Sequence, residues 1–209
     1  MNVSLNEVEA TAKRAARGAG YPWGLAEEVG KATRWLCAHG IDGTNSLAQL
    51  LEQGLAASLK NHRPVEMQSA WAGQGVLCPI ITGALLSDRS DLLHAGPIRI
   101  QKLAVPVFLL PFVASAARAQ NIVITHTCDL FRAATDGDRL EAGQDWPSFS
   151  DHTQITLGGQ LTTPRPHVTR ATPDPACWDT LNRFAHRTYA PATEESRLLG
   201  AGAGLSDND

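Results

Sequence analysis

The sequence predicts an α+β fold: an N-terminal three-helix unit, then a mostly antiparallel sheet with packed helices, a C-terminal helix and a Gly-rich tail. Three observations carry this. Before Pro64 the apolar residues recur at three- and four-residue steps, the period of a helix with one buried face. Beyond Pro64 the segments are short, β-branched and punctuated by Gly and Pro. No helix follows a strand in the regular alternation that a parallel sheet demands, and no long period repeats. The expected boundaries are 1–62 for the helical unit, 63–189 for the sheet with its helices and 190–209 for the tail, all in one compact domain.

Ser4 and Glu7 form a capping box, the Ser4 hydroxyl accepting from the amide three residues on and Glu7 returning to the Ser4 amide. In the helix that follows, Leu5, Val8, Ala12, Ala15 and Ala19 line one face, Lys13, Arg14 and Arg17 lie toward the other, and Gly18 and Gly20 stop it. Pro22 suits the first position of a second helix, with Leu25, Val29, Ala32 and Leu36 on its apolar side and Gly40 at its end. Ser46 with Gln49 repeats the capping pattern, and Leu47, Leu50, Leu51 and Leu55 extend a third helix to about Lys60.

Strands are expected at Ile98–Val105, Asn121–Arg132, His152–Leu157 and His167–Ala171, with turns at Asp136-Gly137 and Gly158-Gly159. The apolar run Leu103–Ala114 falls short of the ~20 residues that a membrane helix needs, so it belongs to the core. Pro106–Gln120 reads as a buried helix that Pro111 interrupts or restarts, with another strand as the alternative. Asp174 caps and Pro175 opens a last helix, in which Trp178, Leu181, Phe184 and Ala185 share a face as far as about Tyr189.

With 18 Lys and Arg against 21 Asp and Glu, the 209 residues carry a net charge of -3. That excludes the strongly basic surface on which nucleic acid or an anionic membrane binds by counter-ion release. The imbalance is local, because Glu194, Glu195, Asp207 and Asp209 stand against Arg197 in the tail while acids and bases balance elsewhere. The opening MNVSLNEVEA is unlike a secretory signal, and Cys37, Cys78, Cys128 and Cys177 are spread without a CxxC. A cytoplasmic protein with reduced thiols is the expectation. The chain contains no GxSxG, HExxH, EF-hand loop or SxxK, and its residues name no cofactor and no metal site.

In the tail, Gly200, Gly202 and Gly204 let successive amides approach an anion closely, with Asp207 just beyond. The contexts of a dinucleotide fingerprint and of a P-loop are both missing, so the tail is either a solvated end or a docked segment. Upstream, His186 and Tyr189 are the candidate acid–base pair, and Arg187 and Arg197 the candidate clamp for an anion. The alternative there is a helix end whose His and Arg complement the dipole. His126 and Cys128 share a strand face with Asp129 opposite, either as a reactive pair or as a buried thiol beside a half-exposed His. Trp23 and Trp35 with Glu27 and Glu28 suggest a pocket with a carboxylate, or else packing anchors and acids of a first helical turn.

The stretches SLNEVEATAKRAARGAGYPWGLAEEVGKATRWL (Ser4–Leu36) and RTYAPATEESRLLGAGAGLSDND (Arg187–Asp209), with CPIITGALLSD (Cys78–Asp88) and LLPF (Leu109–Phe112) between them, resemble the bacterial family called domain of unknown function 3726. The resemblance implies a cytoplasmic protein of bacterial metabolism and makes the tail a family trait. It assigns no residue a role. Two functions stand as expectations. One is an accessory or binding subunit in small-molecule catabolism, its tail docking in a pocket or on a partner enzyme. The other is an enzyme acting on a small carboxylate or amino-acid derivative, with His186 or Tyr189 moving protons, Arg187 or Arg197 gripping the substrate, and Gly200, Gly202, Gly204 and Asp207 in the binding segment. The expected partners are another enzyme or a second copy, together with a small anionic metabolite; nucleic acid and membrane are not expected.

Overall fold

Local signals start most of the helices where the sequence places them. The computed structural model describes residues 1–189 apart from Ser69, Leu130 and Asp145. Helix α1 (Leu5–Ala19) begins where Ser4 Oγ accepts from the Glu7 amide at 3.2 Å and ends at Gly20, whose φ of 111° only glycine adopts without strain. Helix α2 (Trp23–Ala38) follows, with Pro22 as its cap rather than its first residue.

Helix α3 (Gly43–Glu52) starts earlier than the Ser46/Gln49 pattern predicts. The Asp42 carboxylate accepts from the Asn45 amide at 3.0 Å and from the Thr44 hydroxyl at 2.7 Å, while Ser46 only returns its hydroxyl to the Asp42 carbonyl. Asp42 is a good cap in its own right, and its negative charge also suits the positive end of the helix. The helix then stops at Glu52, and the stretch to His62 is a kinked 3₁₀ run from Leu55.

The change of character past Pro64 is only partly a change to strand. Helix α4 (Pro79–Asp88) and a 3₁₀ turn over Ser90–His94 come first. Pro79 opens α4, but its apolar residues Ile80, Ile81, Ala84, Leu85 and Leu86 are spread around the circumference, so no single apolar stripe marks a helix.

Strand β2 (Ile98–Ala104) leads through a 3₁₀ turn at Pro106–Leu109 into helix α5 (Leu110–Gln120), which Pro111 restarts in its first turn as the sequence predicts. The expected strand Asn121–Arg132 is a hairpin, β3 (Ile124–Cys128) and β4 (Phe131–Thr135), and Asp129 takes φ 49° in its turn. Asp tolerates that left-handed conformation, which a two-residue hairpin requires. Strands β5 (Leu140–Ala142) and β6 (Phe149–Leu157) complete a sheet of order β2-β6-β3-β4-β5, antiparallel at every pairing. The expected strand His167–Ala171 shrinks to β7 (Arg170–Ala171), which pairs with β1 (Val3–Ser4). Helix α6 (Pro175–His186) is capped by Asp174, whose carboxylate accepts from the Ala176 and Cys177 amides at 2.9 and 3.2 Å.

Register puts Ile98, Ile100, Ile124, His126, Cys128, Thr153 and Ile155 on one sheet face, where Val113, Ala116 and Ala117 of α5 pack on its isoleucines. Both sheet edges are covered, which blocks pairing with another chain. Trp71 and Leu77 bond along β2, and the Arg165 amide donates to the Leu140 carbonyl of β5 at 2.7 Å. The Arg165 guanidinium then joins the sheet to the end of α2, donating to the carbonyls of His39 (2.7 Å), Gly40 (2.7 Å) and Ala142 (3.2 Å). No described helix is long and apolar enough to cross a membrane.

Candidate functional site

The end of α6 carries the side chains that the sequence singles out. His186, Arg187 and Tyr189 are all exposed there. The His186 and Tyr189 rings meet edge to face at 5.2 Å, the Arg187 guanidinium lies over the Phe184 ring at 4.4 Å, and the Tyr189 hydroxyl accepts from Arg14 at 3.0 Å. None of the three lines either groove described below. Arg197, Gly200, Gly202, Gly204 and Asp207 lie outside the described residues.

The larger groove, of about 750 Å³, runs between α2, α4 and α5. Leu25, Ala32 and Trp35 of α2, Ala84 of α4 and Phe112 of α5 give it an apolar floor. Glycine builds part of that floor, since a β-carbon at Gly83 would overlap the Phe112 ring packed on it. The rim carries both signs of charge: Lys31 pairs with Glu28 at 2.8 Å, Arg118 pairs with Asp138 at 3.0 Å, and Asp88 adds a further carboxylate. Of the residues that the sequence grouped as a pocket, Trp35 and Glu28 line this groove. Glu27 does not, and Trp23 is 66% exposed under the Arg17 guanidinium, so it is no packing anchor. The sequence gives little sign of the contribution of α4, because its apolar residues surround the helix and Pro79 alone marks its start.

On the opposite face of α2, a shallower groove of about 580 Å³ lies against α1, lined by Asn6, Glu9, Ala10, Lys13, Arg14 and Arg34. The helices approach closely at Gly30, where a β-carbon would press on the Glu9 carbonyl and the Lys13 side chain. Arg34 reaches across to Glu9 at 2.8 Å.

His126 and Cys128 do share a face, but His126 is fully buried rather than half-exposed. Its ring stacks on Trp146 at 5.3 Å, and neither ring nitrogen has a hydrogen-bond partner among the described residues. Burial therefore holds its pKa down at about 3, so the imidazole is neutral. Burial, assisted by the Asp129 carboxylate, pushes the Cys128 thiol up to about 12, and burial likewise lifts Cys37 to about 11. Cys78 is raised by burial as well, against the Tyr21 hydroxyl 3.2 Å away. Thiolate nucleophiles need the opposite shift. Among the described residues no group of three or more His, Cys, Asp or Glu is arranged to hold a metal ion, and all four cysteines are unbridged.

No curated protein and no solved structure matches this chain. Residues 3–80, from β1 through α3 to the first turn of α4, match the sequence model of a family described as "Protein of unknown function (DUF3726)", and over that stretch the chain is similar to the family its two ends resemble.

Proposed function

We propose that the protein is a binding or accessory subunit of bacterial small-molecule catabolism, and that the groove between α2, α4 and α5 takes its metabolite. One observation carries the reading: a space of about 750 Å³ with an aliphatic and aromatic floor beneath a rim of both charge signs. Small-molecule sites have about this size, roughly 300 to 1,000 Å³, with mostly apolar walls and a few polar groups to orient the ligand. The ligand that suits it is a small apolar carboxylate, an amino-acid derivative included. Its hydrocarbon would lie on Trp35 and Phe112, its carboxylate toward Lys31 or Arg118, and any amino group toward Glu28 or Asp88. On this reading His186 and Tyr189 guide the chain toward residues 190–209 and transfer no proton.

Titration with aromatic and branched amino acids, their N-acyl derivatives and the matching 2-oxo acids tests it, with amide and indole NMR shifts as the readout. Saturable shifts confined to α2, α4 and α5 are expected, and Ala84→Phe, which fills the groove, should abolish them while leaving the circular dichroism spectrum native. If every compound leaves the Trp35 indole and its neighbours unmoved, the metabolite reading fails.

A further inference from the structure

We infer that the chain's own segment 190–209 is the occupant of the groove between α1 and α2, seated along the exposed basic strip of α1. The first argument is where the described chain ends. Helix α6 lies directly against α1, so close that a β-carbon at Gly18 would overlap the Phe184 carbonyl. The Tyr189 hydroxyl accepts from Arg14, and Arg14 itself lines the groove. The described chain therefore ends at the lip of the site.

The second argument is charge. Lys13, Arg14 and Arg34 line the groove, and the one carboxylate among its described residues, Glu9, is already held by Arg34 at 2.8 Å. The segment that leaves Tyr189 carries Glu194, Glu195, Asp207 and Asp209 against Arg197, and the whole net charge of the chain resides in it. An acidic segment is thus tethered at the edge of a basic cleft, at the high effective concentration that a short tether provides.

The third argument is reach. The segment extends to about 65 Å at roughly 3.3 Å per residue, whereas α1 is only about 22 Å long at 1.5 Å per residue. Glu194 and Glu195 thus come within range of Lys13 in the first few steps. Gly200, Gly202 and Gly204, free of side chains, then allow the backbone to lie close to Ala10 between the α1 and α2 side chains.

The site stands apart from the metabolite groove. Leu25, Glu28, Ala32 and Trp35 face one side of α2, and Gly30 and Arg34 face the other. Because exposed ion pairs are individually weak and screened by salt, the docking should be strong at low ionic strength and largely lost at 1 M salt, where the screening length is about 3 Å.

The test uses the full chain, an equimolar mixture of unlabelled and ¹⁵N-labelled protein, and a zero-length carbodiimide that joins an amine to a carboxylate only where the two touch. Arg14→Lys, which supplies a second amine at the same place, is treated in parallel. Mass spectrometry should find Lys13, and in the variant also the new amine at position 14, joined to Glu194 or Glu195 within chains of one isotopic kind, with yield falling at least fivefold in 1 M NaCl. Cross-links between isotopic kinds would mean that a second copy fills the groove and would overturn the inference. So would the absence of these cross-links in both proteins. Neither result bears on the metabolite groove, whose NMR titration is read on the other face of α2.

Discussion

An imidazole in the unfolded chain takes up a proton near pH 6.5, whereas His126, enclosed under Trp146, does so only near pH 3. The sign of the linkage follows. Between these values the unfolded chain holds a proton that the folded protein refuses, so stability is complete above pH 6.5 and is lost as pH falls toward 3. A slope of about 1.4 kcal/mol per pH unit is expected from this one residue in the middle of that window. His126→Phe keeps a ring against Trp146 and removes two polar atoms that have no partner among the described residues. It should leave stability at pH 7 within about 1 kcal/mol of the parent and flatten the acid slope by one proton, as read by urea unfolding across pH. A variant with the parent's slope would assign the proton uptake to other groups.

At the scale of elements, the tightest junction is the crossing of α1 and α6. The sequence places Gly18 at the helix stop, yet it lies inside α1 and gives the Phe184 backbone room to approach. Gly18→Ala should push the two helices apart and cost about 1 to 3 kcal/mol, a fall in Tm of roughly 2 to 12 °C for a chain of this size. An unchanged melting curve would show that α6 shifts freely. What the sequence made legible among the elements is what short-range chemistry decides. Ser4, Asp174 and the prolines at 106, 111 and 175 mark helix starts within a turn of where they occur. What escaped depended on distant partners. Helix α4 owes its place to the helices it packs on, α2 and α5, and the turn at Asp129 is made by strand pairing. For the site, Trp35 and Glu28 were legible as an aromatic–carboxylate pair on α2, but Ala84 and Phe112 join them only through folding. The small, ordinary residues of a groove floor carry no signature of their own.

Across the whole molecule, α2 divides two surfaces with different chemistry, an apolar groove on α4 and α5 and a basic cleft on α1. Arg165 ties it to the sheet, gathering the carbonyls of His39 and Gly40 just past the end of α2 and that of Ala142 in β5 onto one guanidinium. The helical body is also closed from far along the chain: Ala12, Ala15 and Leu36 share one core with Trp178, Leu181 and Phe184. A chain cut after Pro173 therefore lacks a wall of its first helix. It should lose its cooperative thermal transition and bind the dye ANS, whereas a retained sharp transition would make α6 dispensable. In the cell the same closure sets a timetable. At about 5 to 20 residues per second, the ribosome delivers α6 roughly 10 to 30 s after α1. For that interval the nascent N-terminal helices present an oily flank to whatever holdase meets them first.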